Sequence, residues 1–281
     1  MQNDKINLSL IIPIGLMLFS FFFGAGNLIF PPVLGQMAGE NISWGMLGFC
    51  LSGVGFPLLG VLAMAMKQSD NPDSIAMPMH PLYARAVTIL CALAIGPLFA
   101  IPRTAAVSFD TGIHSLLPAS CEAIGLPVYT VFFFILTYFF SINPSKIIGH
   151  IGKFLSPMLL ICLAVLVVCV FVNPTGSLKM PNPDFAASPF FRGFQEGYNT
   201  MDLLAAILFG SITIKAIEAQ GITDKKVLTK LCSYAGLIAA FFLAIIYAAL
   251  AYTGALSINV FGVIPNGATL LSKICTYYMG F

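Results

Sequence analysis

The stretch GLMLFSFFFGAGNLIFPPVLGQMAG, at residues 15–39, decides how this chain folds. It belongs to an apolar run of 31 residues from Leu8 to Ala38. As one straight helix that run would be about 46 Å long, whereas the hydrocarbon core of a bilayer is about 30 Å thick. Glycine weakens a helix and proline removes a backbone donor. We therefore predict a membrane span broken between Gly24 and Asn27; a small-residue packing site between helices is the alternative.

Composition places the whole chain in a membrane. Of its 281 residues, 58% are hydrophobic and 9% are charged, whereas a soluble domain has about 25% charged residues. Mean hydropathy is +0.94. We therefore expect an all-α, polytopic membrane protein, and we disfavour a nucleic-acid binder, a secreted disulfide scaffold and a disordered chain. Apolar segments that fit the length of a span lie at residues 8–38, 44–66, 86–112, 124–142, 151–172, 190–217, 232–254 and 265–281.

The side chains that usually carry enzymatic chemistry form no known pattern here. The seven cysteines include no CxxC pair, and the three histidines lack the spacing of metal ligands. Neither a Ser-His-Asp pattern nor a phosphate-binding glycine loop is present in the sequence. The formal net charge of +2 is too small to suggest a polyanionic partner. We expect no enzymatic activity, no cofactor and no transition metal.

Lysine and arginine residues predict the orientation, because they are enriched in cytoplasmic loops. With a cytoplasmic N-terminus, the outer loops hold only Lys179 and Arg192, while Arg103 and Lys273 fall within spans. The other nine basic residues then lie on the cytoplasmic side. They are Lys5, Lys67, Arg85, Lys146, Lys153, Lys215, Lys225, Lys226 and Lys230.

The sixth segment is too polar for a plain span. It begins GFQEGYNTMD at residues 193–202 and becomes continuously apolar only from Leu203. A charge at the centre of a span costs about 2.5–3.5 kcal/mol even on the mildest scale. We predict a second broken helix, with the alternative that 193–202 is an outer loop. On that alternative the span from Leu203 to Ile217 would have only 15 residues, which is short for a full crossing.

The two predicted breaks indicate a binding site of the kind that transporters use. Interrupted segments at corresponding positions of two halves mark such sites. Because segment 6 comes five spans after segment 1, the two segments run in opposite directions, as an inverted five-plus-five repeat requires. The amide end of a half-helix suits a carboxylate. The carbonyl end suits an ammonium group or a sodium ion, so a zwitterionic amino acid and a coupled cation would use both ends.

Two charged residues lie within the third segment. Arg103 stands in an apolar stretch, so we expect it to face the bundle interior and to find a partner. Asp110 follows two turns later, too far for direct pairing without water, and Glu196 and Asp202 are the other candidate partners. Arg103 either fixes the helix register through a structural ion pair or balances charge near a transport path. Asp110 either shares that role or ends the span at the outer surface.

The chain resembles the bacterial branched-chain amino acid carriers, the leucine/isoleucine/valine:cation symporters. The resemblance rests on residues 15–39 and on three further stretches: GPLFAIPRTAAVSFDTGI at 96–113, GFQEGYNTMDLLAAILFG at 193–210 and IEAQGITDKK at 217–226. It implies uptake of leucine, isoleucine and valine across the bacterial inner membrane, coupled to Na⁺ or H⁺. It also implies the five-plus-five inverted repeat of the amino acid–polyamine–cation superfamily.

The resemblance also implies which residues form the site, because the unwound parts of spans 1 and 6 hold substrate in that superfamily. Carried over to this sequence, substrate would contact Phe23, Gly24, Ala25, Gly26, Glu196, Gly197, Tyr198, Asn199 and Thr200. The coupling ion would contact Ala25, Asn27, Thr200 and Asp202. Arg103 and Asp110 would be the charges within the membrane.

Length departs from the family pattern. Residues 1–172 would hold the first repeat with spans 1–5, and residues 173–281 would hold spans 6–7 and the start of span 8. A repeat offset of about 172 residues puts the end of the second repeat near residue 345, so about 65 residues would be missing. We therefore expect a C-terminally truncated carrier. An inactive remnant and a structural or channel-like membrane subunit are the alternatives.

Overall fold

The computed structural model describes residues 8–114, 117–118, 122–142, 156–222 and 224–280. Within these ranges the regular structure is helical throughout, as predicted. Of the basic residues that predict orientation, Lys5, Lys146 and Lys153 lie outside the described residues. The helices are α1 (Leu8–Phe22), α2 (Ala25–Ala38), α3 (Ile42–Cys50), α4 (Phe56–Lys67), α5 (Pro81–Leu93), α6 (Ala100–Gly112), α7 (Glu122–Ser141), α8 (Ser156–Val172), α9 (Pro183–Ala187), α10 (Pro189–Tyr198), α11 (Asp202–Glu218), α12 (Lys225–Phe261) and α13 (Gly267–Met279).

The break predicted in the first span is confirmed. The N–H of Phe23 makes the last bond of α1, to the carbonyl of Phe19 at 2.8 Å. Gly24 then adopts an extended conformation, with φ of −118° and ψ of −168°. Its N–H donates to Oδ1 of Asn27 at 3.0 Å, which caps the start of α2. The span is therefore two half-helices whose free ends face the interior.

The second predicted break is also confirmed, and the alternative of an outer loop at 193–202 is wrong. Helix α10 ends at Tyr198 and α11 begins at Asp202, with an angle of 47° between the two helix axes. The turn between them places Met201 in the left-handed region, with φ of 70°. A non-glycine residue pays a steric cost there. The surrounding packing must supply that energy, which marks the turn as a candidate functional feature.

The described part of the chain contains several helical segments that are long and apolar enough to cross a membrane. Four helical segments qualify: Ala25–Lys67, Pro81–Gly112, Ile124–Ser141 and Lys225–Phe261. The bent pair α10–α11 is a fifth candidate. Two shorter apolar helices, Leu10–Phe22 and Pro157–Val172, cover most of α1 and α8. The first of these segments contains α2, a turn at Gly39, whose φ is 49°, and then α3 and α4, which correspond to the segment predicted at 44–66.

Two helices differ in extent from the apolar segments predicted for them. The segment predicted at 232–254 is a helix of 37 residues, α12. It begins earlier because the carboxylate of Asp224 accepts hydrogen bonds from the N–H groups of Lys226 and Val227 and so caps the helix. The segment predicted at 265–281 is the 13-residue helix α13, which starts after Asn266 and ends before Gly280.

Helix α12 packs along the first broken span, and the two run parallel. Ile238 lies against Gly15 of α1, and further along Ala251 lies against Gly35 of α2. At Gly35 the two backbones touch, because a Cβ there would collide with the carbonyl of Ala251. Small residues allow such close approach between helices in membranes.

Helices α3 and α4 pack along the second broken span in the same way. The backbone of Gly45 lies against Gly193 of α10, and Gly60 of α4 lies against Ala206 of α11. The two broken spans are themselves antiparallel. The rings of Phe22 and Phe209 have centroids 5.4 Å apart on one side of the breaks. Asn27 meets Asp202 at the breaks themselves.

Basic residues gather at one end of this bundle. Lys67 ends α4, and the hydroxyl of Thr229 near the start of α12 donates to the carbonyl of Ala65 at 3.0 Å, so the two helix ends adjoin. Lys215 of α11 pairs with Asp70 just beyond α4 at 3.7 Å. Lys225, Lys226 and Lys230 lie in the first turns of α12. Lys179 and Arg192 belong to the opposite end, where the carbonyl of Lys179 accepts from the N–H of Glu40 at 3.0 Å.

Candidate functional site

The two helix breaks line a single cavity. One wall is residues 24–27 of the first break, and the facing wall is residues 200–202 of the second. Helix α6 contributes Arg103 and Thr104. Because each break exposes amide groups at one helix start and carbonyls at another helix end, the cavity offers both kinds of hydrogen-bonding group. Its apolar lining consists of Phe21, Phe22, Ile95, Ala100, Ala205 and Phe209.

A buried hydrogen-bonded group joins both breaks to α12. Asn27, Asp202 and Tyr247 are 2%, 5% and 0% exposed. Nδ2 of Asn27 donates to Oδ2 of Asp202 at 2.6 Å and also to the hydroxyl of Tyr247. That hydroxyl donates to the same carboxylate oxygen at 3.3 Å. A carboxylate at this depth is costly without such donors.

The amide of Asn27 has a fixed orientation. Its oxygen accepts from the N–H of Gly24, and its nitrogen faces the carboxylate of Asp202. Asn27 therefore positions the acid and caps α2 at once. In this arrangement Asp202, rather than Asn27, presents the negative oxygen of the site.

Arg103 reaches the second break from α6. Its Nη1 donates to the carbonyl of Asn199 at 3.1 Å, and its Nη2 lies 2.8 Å from the sulfur of Met201. Its guanidinium carbon is 5.6 Å from the centre of the Phe30 ring on α2, which is within cation–π range. Arg103 thus faces the interior, as predicted.

The structure brings together some of the predicted site residues and not others. Those that line the cavity are Gly24, Ala25, Gly26, Asn27, Arg103, Thr200 and Asp202. Phe23 instead packs in the core, where its ring stacks on Phe19 with centroids 5.3 Å apart. Asp110 lies at the far end of α6 and accepts from Nδ2 of Asn266 at 3.4 Å.

The remaining predicted residues belong to the last turn of α10. Gly197 lies against the backbone of Phe49, so it serves close helix packing. Glu196 accepts from the side chain of Asn199 at 3.4 Å. The side chain of Tyr198 is half exposed. None of these side chains is among those that line the cavity, and the binding roles predicted for them stay predictions.

Tyr247 is the site residue that sequence reasoning missed. It stands in a run of apolar and small residues in α12, and its contact with Asn27 joins residues 220 positions apart. The available signal was a hydroxyl-bearing side chain in the middle of a predicted span. Its ring also packs at 5.2 Å on Phe49 and at 6.4 Å on Phe23, which fixes the hydroxyl in place.

Replacing Tyr247 with phenylalanine is expected to destabilise the protein without disturbing the ring contacts. Asp202 then loses a donor, and leaving a buried polar group short of a partner costs about 1–3 kcal/mol. That corresponds to a fall of about 2–12 °C in melting temperature for a chain of this size. Thermal unfolding followed by circular dichroism in detergent measures it. Tyr234→Phe, at a half-exposed position of the same helix, is the control, and equal melting of the two variants would contradict the prediction.

Metal ligands do not cluster in the described ranges. No three His, Cys, Asp or Glu side chains there lie close enough to hold a metal ion.

Comparison with known proteins shows that a family model matches nearly the whole chain. The model described as "Branched-chain amino acid transport protein" matches residues 7–281. The branched-chain amino acid permease BrnQ of Bacillus subtilis is 45% identical over 279 residues, which cover 99% of this chain and 63% of the relative. BraB of the same organism is 43% identical over 96% of this chain and 60% of the relative. BrnQ of Escherichia coli K12 is 37% identical over 96% of this chain and 61% of the relative.

These relatives are transport permeases and not enzymes. The chain spans about 60–63% of their length. No solved structure matches it. Together with the apolar helices, the relatives identify a multi-pass membrane protein.

Proposed function

Because the chain belongs to the family of branched-chain amino acid transport proteins, we propose that it carries leucine, isoleucine and valine across the bacterial inner membrane by alternating access. Transport is coupled to Na⁺ or H⁺. The observation that carries the proposal is the convergence of both helix breaks on one cavity with a buried carboxylate, Asp202.

The cavity suits a small amino acid with an aliphatic side chain. The backbone groups of residues 24–26 and the hydroxyl and backbone of Thr200 lie where the polar end of the substrate would bind. Phe21, Phe22 and Phe209 form an apolar wall for the side chain, with ring centroids 5.4–5.5 Å apart across the two spans. When two aliphatic substrates differ by one methylene, their binding free energies at such a wall differ by only about 1–3 kcal/mol. One carrier would therefore accept all three branched-chain amino acids.

The coupling ion belongs beside Asp202. That carboxylate is the negative group of the cavity. The carbonyl oxygen of Ala25 and the hydroxyl oxygen of Thr200 would be the further oxygen ligands of a hard cation such as sodium. Asn27 would act here mainly by orienting Asp202 through the hydrogen bond of 2.6 Å. A proton on Asp202 is the alternative coupling mode.

Reciprocal packing supports an inverted repeat of residues 1–172 and 173–281. Helix α12, the second span of the later half, runs parallel to the first broken span. Helices α3 and α4, the second span of the earlier half, run parallel to the second broken span. The second span of each half therefore packs against the broken span of the other half. A pseudo-twofold axis between the antiparallel broken spans would relate the two pairs.

The basic residues at one end of the bundle support a cytoplasmic N-terminus. Lys67, Lys215 and the three lysines in the first turns of α12 lie at this end. The start of α1 adjoins it, because Ile11 packs in the same cluster as Leu228. The positive-inside tendency then assigns it to the cytoplasm.

Leucine uptake by this chain in proteoliposomes tests the proposal. One sodium ion crossing 100 mV releases about 2.3 kcal/mol, which sustains about fortyfold accumulation. We expect saturable uptake that isoleucine and valine compete away and that disappears when the sodium and proton gradients are both collapsed. Collapsing them one at a time identifies the ion. Folded protein without saturable uptake would overturn the proposal and favour a structural subunit or an inactive form.

A further inference from the structure

The charges that line the cavity come as a single opposite pair. Among the described residues that line it, Arg103 and Asp202 are the charged ones. They come from α6 and from the start of α11, so they stand on different walls. An α-amino acid at neutral pH also carries one positive and one negative group, and the lining matches that pattern.

The carboxylate of Asp202 accepts hydrogen bonds from two side chains, whereas Arg103 uses only some of its N–H donors. Asp202 accepts from Asn27 and Tyr247. In the described ranges, two of the five N–H donors of Arg103 have acceptors, and both acceptors are neutral: the carbonyl of Asn199 and the sulfur of Met201. A guanidinium within a membrane span is costly unless an anion or a strong acceptor faces it. Asp202 attracts Arg103 electrostatically. No hydrogen bond joins the two among the described residues, so the remaining donors of Arg103 can bind an anionic ligand.

Arg103 stands beside the first break. A Cβ added at Gly26 would lie 3.3 Å from Nη1 of Arg103 and 3.4 Å from Cα of Thr200. The guanidinium and the second break therefore both lie within van der Waals reach of the backbone at residue 26. A ligand group that binds between the two breaks can contact the guanidinium.

We propose that Arg103 binds the α-carboxylate of the transported amino acid and so serves as a specificity-determining residue. This inference rests on the proposed transport function. Guanidinium and carboxylate match in shape and form paired, charge-assisted hydrogen bonds. With the carboxylate bound there, the aliphatic side chain points to the phenylalanine wall. Arg103 holds the second break in place through Asn199 until the carboxylate joins it.

Ligands that differ in one charge isolate this role. L-leucinamide keeps the ammonium group of leucine and lacks the carboxylate, whereas 4-methyl-2-oxopentanoate keeps the carboxylate and lacks the ammonium group. We expect wild-type protein to bind leucine at least about 30-fold more tightly than leucinamide, as loss of a charged hydrogen bond implies. Competition against radiolabelled leucine, with purified chain in detergent, gives the three affinities.

The variant Arg103→Gln should remove that discrimination. Its affinity for leucine should fall by about 30-fold to 100-fold, while its affinity for leucinamide changes by less than about threefold. Arg103→Lys should recover part of the affinity for leucine, because it keeps the charge and loses the paired geometry. Arg192→Gln is the matched control, since Arg192 pairs with Asp184 outside the cavity at 3.3 Å.

The outcomes separate this inference from the proposed function. Wild-type protein that binds no leucine contradicts the transport function itself. Wild-type protein that binds leucine and leucinamide equally well overturns the role of Arg103, even if Arg103→Gln fails to fold. A folded Arg103→Gln that loses both ligands equally also overturns it and makes Arg103 a structural residue.

Discussion

Replacing Asp202 with asparagine is expected to lower ion-driven leucine uptake by about 100-fold while the protein stays folded. The change keeps the shape of the side chain and its ability to accept a hydrogen bond from Asn27. In the structure, Nδ2 of Asn27 lies 2.6 Å from Oδ2 of Asp202. It removes the negative charge that would attract a sodium ion or carry a proton. Because the site is buried, water cannot replace that charge, and the coupling ion loses its strongest ligand.

The comparison with Asp184→Asn gives this prediction its control. Asp184 pairs with Arg192 at 3.3 Å, and its side chain is 66% exposed, so neutralising it should leave uptake within about twofold of wild type. Uptake in proteoliposomes is measured with the gradient imposed and with it collapsed, and circular dichroism confirms the fold. If Asp202→Asn retains gradient-driven accumulation, the coupling ion binds elsewhere and Asp202 is only a structural acid.

Both helix breaks could be predicted from the sequence because local chemistry produces them. At the first break, Gly24 adopts an extended conformation where a larger residue would favour continuing the helix. At the second, polar residues interrupt an apolar run, and a membrane span does not tolerate them on its lipid face. In each case the signal lies within ten residues, so no knowledge of the tertiary structure is needed.

The membership of the site could be predicted only in part. The polar residues of the second break are close in sequence, yet Asp202 faces the cavity whereas Glu196 bonds to Asn199 outside it. The rotation of each helix about its axis decides which side chains face the cavity. Packing of α10 and α11 against α3 and α4 sets that rotation. Tyr247 belongs to the site only through contacts with two distant segments. Local periodicity carries no information about such contacts.

The length of α12 has a similar explanation. Hydropathy defines the apolar centre of a helix and says little about where its polar ends stop. The helix extends to Lys225 because Asp224 caps it, and to Phe261 because Gly262 ends it with φ of 67°. The capping carboxylate was present in the sequence, so this boundary was within reach of prediction.

Replacing Gly35 with alanine is expected to destabilise the protein by about 3 kcal/mol, at the upper end of what overpacking usually costs. The added methyl group would collide with the carbonyl of Ala251, and backbone atoms cannot move aside as a flexible side chain can. Helices α2 and α12 would have to separate. That separation would also strain the hydrogen bond of 2.9 Å between Gln36 and Ser257 and the contact of Asn27 with Tyr247, which lies in the same interface.

Gly112→Ala separates this packing effect from the loss of a glycine as such. Gly112 is the last residue of α6, and a Cβ there meets no atom within 4 Å. Alanine should therefore be neutral or stabilise by up to about 1 kcal/mol through the unfolded state. A cost of 3 kcal/mol lowers the melting temperature by about 6–12 °C in a chain of this size, so thermal unfolding separates the two variants. Because the α2–α12 interface also orients Asn27 toward Asp202, Gly35→Ala should weaken leucine binding as well. Equal melting temperatures of the two variants would mean that the backbones of α2 and α12 are not in contact.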